Sequence, residues 1–253
     1  MKKCTSCKDG TKLPFALRTA FQPIVDLDTG GVFAYEALVR GINGEGAGHV
    51  IAQVTDDLLY AFDQACRVTA IREAAAAGLL ETDARLSINF MPNAIYSPMA
   101  CIRLTLETAR AVNMPADRLI FEFTENERLD PAHMRAIVDA YRTLGFATAI
   151  DDFGSGFSGL NLLAGLSTDF VKLDMDLVRG IDISEPRRLI VAALLRLGAD
   201  LGRTVIAEGI ETEGEMLALR RLGVRYMQGY YFARPELGRL PASPALARCV
   251  RAA

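Results

Sequence analysis

"FQPIVDLDTGGVFAYEALV", residues 21–39, reads as two apolar strands, 21–27 and 32–39, joined by the turn Asp28-Thr29-Gly30-Gly31. So short a connection makes the two strands antiparallel. Beyond it the pattern changes. A glycine-rich loop, "GINGEGAGH", leads into a long stretch of helical periodicity over 50–77, with Gly78 as a stop. From there strand and helix alternate. Strands are predicted at 85–90, 118–123, 146–151, 169–174, 204–209 and 225–230, with helices near 98–112, 131–144, 158–164, 185–201 and 212–222. Two opening strands and six more make eight. Strand–helix alternation over 253 residues favours an α/β (β/α)8 barrel with one antiparallel strand over an open doubly wound sheet.

Composition narrows the function. The formal net charge is −3 and no long basic run occurs, so duplex nucleic acid is not an expected partner. The most apolar segment, "LIVAALLRLGADL", is interrupted by Arg196 and Asp200 and is too short to span a bilayer. The N-terminus lacks the apolar stretch of a signal peptide, so no membrane association and a cytoplasmic location are expected. The five cysteines fit reduced thiols. Cys4 and Cys7 form a C-x-x-C within residues 1–13, a segment set apart from a barrel at 14–253. Half a zinc knuckle or a redox pair competes there with two inert thiols. No second pair of zinc ligands follows, so the inert reading is favoured, and zinc shared between two chains stays open.

In such barrels the chemistry sits where strands end. The strand ends here carry Glu36, Asn89, Glu122 with Glu125, Asp151 with Asp152, Lys172 with Asp174, Glu208 with Glu211, and Gln228. A lone acid after a strand is most often a helix cap or a solvated rim charge. That reading fails for the set, because Glu122 in "LIFEFTE" and Glu36 in "FAYEALV" lie inside apolar sequence. Buried acids without a partner are costly, and gathered carboxylates repel. A cation relieves both problems. The donors are oxygens, and His49 and His133 lie away from the strand ends, which suits Mg²⁺, Mn²⁺ or Ca²⁺ rather than zinc. Adjacent aspartates could each reach a different ion, with one bridging, as in two-metal sites about 4 Å across that clamp a phosphodiester.

"AIDDFGSGFSGL", residues 149–160, contains Gly154-x-Gly156-x-x-Gly159, the glycine spacing of a dinucleotide-binding turn, with Asp174 about twenty residues on. Two aspartates precede the glycines, however, and would repel a bare pyrophosphate. A kinase reading of Asp152-Phe153-Gly154 lacks its companion motifs. The glycines read better as a mobile loop after a metal-binding strand end.

"YEALVR" (35–40), "SINF" (87–90), "FEFTE" (121–125), "DDFGSGFSGL" (151–160), "VKLD" (171–174), "AEGIE" (207–211) and "MQGY" (227–230) together resemble the signature blocks of EAL-domain cyclic di-GMP phosphodiesterases. They stand in the family's order over nearly all of residues 14–240. The resemblance implies a (β/α)8 barrel with one antiparallel strand and hydrolysis of cyclic di-GMP to linear pGpG. It implies that Glu36, Asn89, Glu122 and Asp151 hold one metal ion, and that Asp151, Asp152 and Glu208 hold or approach a second. The ions would be Mg²⁺ or Mn²⁺, with Ca²⁺ inhibitory. It casts Lys172 as orienting water or stabilising developing charge, Glu125 as restraining the loop at 152–158, and Glu211 and Gln228 as completing the site. Arg40 matches a phosphate-contacting arginine, Gln22 lies at the guanine end, and Asp174 joins the substrate-binding set. A homodimer is expected. Gly41 departs from a frequent tryptophan, Ser155 from threonine, Phe157 from tyrosine and Ser167 from proline; Gly41 puts the contacts near Arg40 in doubt. A non-catalytic cyclic di-GMP receptor is the alternative, and it is disfavoured because such receptors lose acids or the lysine. An enolase-type barrel would need a capping domain for which the chain has no room. A scaffold for a protein partner would be indifferent to nucleotide.

Overall fold

The computed structural model describes residues 13–124, 130–156 and 159–243. Strands β1 (Leu17–Asp26) and β2 (Gly31–Gly41) form the expected hairpin. Its turn is set by Asp26, whose Oδ1 accepts from Asp28 N at 3.0 Å and Thr29 N at 3.4 Å, and by Gly30 at φ +69°, a left-handed conformation that suits glycine. Six strands follow: β3 (Arg85–Asn89), β4 (Leu119–Thr124), β5 (Ala147–Phe153), β6 (Phe170–Leu173), β7 (Thr204–Ala207) and β8 (Tyr226–Met227). From β2 to β8 each strand is parallel to the next. β1 closes the barrel, antiparallel to both β2 and β8. A short β9 (Glu236–Leu237) adds to β1 beyond its contact with β8. The closing seam is pinned by Arg225, which donates to both carboxylate oxygens of Asp26 at 2.8 and 2.6 Å.

The helices are α1 (Ala47–Ile51), α2 (Leu59–Ala76), α3 (Pro98–Cys101), α4 (Arg103–Ala111), α5 (Pro131–Thr143), α6 (Gly159–Gly165), α7 (Met175–Val178), α8 (Glu185–Asp200) and α9 (Glu213–Leu222). α9 shows how locally the sequence sets its boundaries. Thr212 and Glu215 form a capping box at its start, and Gly223 at φ +98° ends it. The helix expected over 50–77 is two helices. Between them Thr55 donates its hydroxyl to Asp57 at 2.6 Å, a local bond that competes with helix. The expected helix 98–112 is likewise split, and α7 and β9 were not foreseen. No helix among the described residues is long and apolar enough to cross a membrane. Cys4 and Cys7 lie outside the described residues.

The barrel interior is layered. Ile24, Ala34, Ile120, Ala149, Phe170 and Ile206 form one apolar layer inside it. Side chains alternate along a strand, so the interior position after each of these is two residues on. Those positions are Glu36, Glu122, Asp151, Lys172 and Glu208. On the reversed β1 the position is two residues back, Gln22. The polar layer therefore stands directly above a dry floor, at the strands' C-terminal ends, where barrels of this kind place their chemistry.

Candidate active site

Lys172 stands at the middle of the polar layer and is fully buried. Its Nζ lies 2.6 Å from Glu208 Oε1, 2.8 Å from Glu122 Oε2, 3.0 Å from Asp151 Oδ1 and 3.7 Å from Glu36 Oε2. Glu36 is further held by Asn89, which donates Nδ2 to Oε1 at 2.9 Å, and by Gln228, which donates Nε2 to Oε2 at 2.8 Å. The Ser87 hydroxyl donates to Glu122 Oε1. Strand register explains these meetings: Glu36 pairs with Gln22 and Ser87 on neighbouring strands, and Asn89 pairs with Glu122.

Asp152 should point away from Asp151 by simple alternation. Instead the β5–β6 register shifts between Ile150 and Phe153, and Asp152 adopts φ +53°. This bulge re-aims its side chain. Two overlapping triads of carboxylates result. Oxygens of Glu36, Glu122 and Asp151 lie within 4.8 Å of one another, and so do those of Asp151, Asp152 and Glu208. Asp151 belongs to both.

The electrostatics are those of crowded buried acids. Burial pushes Glu122 up to about 8; the Lys172 charge opposes this, while Glu36 and Asp151 add to it. Burial raises Asp151 against the pull of Lys172, and carries Glu208 well above the carboxylate range. Asp152 is raised to about 6 by burial and by the neighbouring Asp151 charge. Glu36 is the exception. Burial works against its charge, but Lys172 and the donors Gln228 and Asn89 together hold it below the ordinary value. Burial disfavours the charge on Lys172, yet Asp151, Glu122, Glu208 and Glu36 hold it well above the usual lysine range. The surrounding acids thus favour Lys172 as an ammonium, which donates to Glu122 Oε2 at 2.8 Å.

A cleft of ≈190 Å³ opens above this layer, lined in part by Gln22, Glu36, Asp152, Asp174, Glu208, Glu211, Gln228 and Tyr230. Gln22 donates to Ala233 O at 3.2 Å. Asp174 caps α7, accepting from Asp176 N at 2.8 Å, the role first considered for any acid after a strand. Glu211 stands at the rim, bound by Arg179 through two hydrogen bonds of 2.8 and 3.0 Å rather than by Lys172. Arg40 lies near the end of β2, where its guanidinium donates to Val39 O at 2.8 Å. Glu125 lies outside the described residues. Tyr230 was not singled out from sequence, although "MQGY" ends on it; its ring is half exposed in the cleft. A second, more apolar recess of ≈280 Å³ lies between the barrel wall and α2, lined in part by Val39, Phe62, Asp63 and Met91.

The donor set fits hard divalent cations: carboxylate and amide oxygens, a shared aspartate, and Gln228 Oε1 buried without a hydrogen-bond partner among the described residues. The EAL domain family matches residues 15–235. The chain belongs to the EAL domain family. This EAL domain is similar to a standalone EAL protein from Vibrio cholerae O395 solved with c-di-GMP bound: 51% identity, TM-score 0.90, covering 93% of this chain and 99% of that one. Klebsiella pneumoniae BlrP1, in a manganese/cyclic di-GMP complex at pH 6, shares 34% identity at TM-score 0.83, over 92% of this chain and 59% of BlrP1. BlrP1 was also solved in a calcium/cyclic di-GMP complex. The antirepressor BluF of Escherichia coli K12 is 30% identical over 226 residues, 88% of this chain but 55% of BluF. The chain thus spans about half the length of that relative.

Proposed function

We propose that this EAL domain is a cyclic di-GMP phosphodiesterase that opens the ring to linear pGpG. The observation that carries this reading is the pair of carboxylate triads sharing Asp151 around the Lys172 ammonium. Glu36, Asn89, Glu122 and Asp151 would hold one Mg²⁺ or Mn²⁺; Asp151, Asp152 and Glu208 would hold the other. Bound there, the ions supply the positive charge that acidifies water and polarises a phosphodiester. Ca²⁺, with longer and looser coordination, is expected to inhibit.

The chain's own residues do the rest. Lys172 would orient the attacking water and meet charge growing on phosphate oxygen. Attack forms one P–O bond from water and breaks one P–O bond of the ring, whose ribose oxygen leaves with a proton. Arg40 would fork onto a phosphate. Gln22, Asp174, Gln228 and Glu211 would contact or frame the substrate on the cleft side, with Glu125 restraining the neighbouring loop. The cleft above the acids would receive the nucleotide, with Tyr230 beside one of its bases. We assign the barrel to residues 14–253, with 1–13 as a separate segment, and expect a cytoplasmic homodimer. Exposed Leu160, Ile183, Leu189 and Ile190 are candidates for its interface.

Incubating the purified chain with cyclic di-GMP and Mg²⁺ or Mn²⁺, followed by chromatography, tests the proposal. Accumulating pGpG, abolished by Glu36→Ala or chelation, is the expected result. Tight nucleotide binding without turnover would instead establish the receptor alternative.

A further inference from the structure

Behind the barrel wall, on the face opposite the acids, lies a second buried charged cluster. Arg67 of α2 is fully buried. Its Nη2 lies 2.6 Å from Asp63 Oδ2, one helical turn away, and its Nη1 donates to the Tyr141 hydroxyl on α5 at 2.9 Å. The guanidinium sits 5.5 Å from the ring centre of Phe90 and 5.6 Å from that of Phe121. Asp63 Oδ1 accepts from Met91 N at 2.9 Å.

Three of these contacts fall next to or two residues from a site residue. Phe90 follows Asn89, and Phe121 precedes Glu122. By strand alternation a ring pointing outward fixes its neighbour pointing inward. Met91 N, held by Asp63, is the second amide after Asn89 and fixes how the chain leaves β3. Asn89 and Glu122 are themselves register partners on β3 and β4. One guanidinium therefore grips the backs of both strands at the level of the site, and ties them to α2 and α5.

The cluster is poorly suited to stability alone. Arg67 Nε is buried without a hydrogen-bond partner among the described residues, which lowers stability. Buried ion pairs are often replaceable by apolar residues of similar volume without loss. What an apolar residue could not supply is directional contact to Tyr141, Asp63 and two rings at once. We propose that Arg67, with Asp63 and Tyr141, is a positioning residue that sets the spacing of Asn89 and Glu122 for a divalent ion. The inference rests on the metal-binding reading of those two residues. Outer partners of metal ligands commonly change affinity 10–100-fold when lost.

The test is Mn²⁺ affinity, measured by electron paramagnetic resonance on the full chain, beside the melting temperature and c-di-GMP turnover. Arg67→Met is expected to bind Mn²⁺ about tenfold more weakly. Tyr141→Phe, which removes one hydroxyl, is expected to weaken it about threefold and decides the question if Arg67→Met does not fold. A variant that melts lower but binds Mn²⁺ as wild type does would reduce the cluster to a structural role and overturn the proposal. Wild-type chain that binds Mn²⁺ but leaves c-di-GMP intact would remove the phosphodiesterase reading alone, since the affinity comparison still decides the positioning role. Wild-type chain that binds no Mn²⁺ would overturn both.

Discussion

Asp151 and Asp152 are consecutive residues, yet their carboxylate oxygens lie within 4.8 Å of each other and of Glu208. A regular strand would send them to opposite faces. The β5 bulge and the left-handed backbone of Asp152 at φ +53° bring them to one side, and Asp151 can thereby belong to both triads. Local strain of this kind concentrates at functional sites.

That geometry separates two substitutions at one position. Asparagine tolerates the left-handed region and cannot ionise, so Asp152→Asn should be at least as stable to denaturant as the metal-free wild type above about pH 6 while losing affinity at the second ion site. Asp152→Val forces a β-branched residue into the same conformation and should cost about 1–2 kcal/mol. Equal stability of the two variants would mean the backbone at 152 is not left-handed.

Lys172 counterbalances four carboxylates within 3.7 Å. Lys172→Met removes the ammonium among them and should destabilise the metal-free chain by about 3–5 kcal/mol at a pH where these acids are ionised, and by less at about pH 5, where they take up protons. Mg²⁺ or Mn²⁺ should recover much of the loss in melting temperature, while hydrolysis stays absent because the proton donor is gone. A Lys172→Met chain that is stable under chelation would contradict the electrostatic account of the layer.

The same crowding fixes a pH dependence. Glu122, raised to about 8 from 4.5, and Asp152, raised to about 6 from 3.8, hold protons in the folded state that the unfolded chain releases. Each group therefore withdraws stability as pH rises, between 3.8 and about 6 for Asp152 and between 4.5 and about 8 for Glu122. Glu36, held low, acts in the opposite sense and at more acidic pH. The chelated chain should accordingly melt at lower temperature at pH 8 than at pH 5. Divalent ions compete with these protons, so the rise in melting temperature on adding Mn²⁺ should be larger at the higher pH. A metal effect independent of pH would count against ion binding by these carboxylates.

The layered interior explains how much of the site could be read from sequence. Glu36, Glu122, Asp151, Lys172 and Glu208 each stand two residues beyond an apolar interior residue, so period-two alternation and strand ends suffice to gather them. Departures arose where tertiary contacts override local pattern. The strand expected over 225–230 stops at Met227, and Gly229 packs so closely on Ile210 that an added Cβ would stand 2.0 Å from its carbonyl oxygen. Arg179, which draws Glu211 to the rim, comes from a loop with no periodic signal. The left-handed Asp152 carries none either, beyond the general tolerance of aspartate for that region.

Tyr230 brings an aromatic ring to the cleft. Its ring is half exposed, and the Arg234 guanidinium lies 4.2 Å from its centre. An aromatic ring half exposed in the cleft suits stacking on a nucleobase, worth about 1–3 kcal/mol per base. Tyr230→Ala should therefore raise the KM for cyclic di-GMP about 10–100-fold with little change in kcat, the pattern of an interaction made equally with ground and transition state. Tyr230→Phe keeps the π face and should behave as wild type. If the phenylalanine variant is as impaired as the alanine one, the hydroxyl and not the ring is what the ligand meets, and the cleft-side base must be held by hydrogen bonds instead.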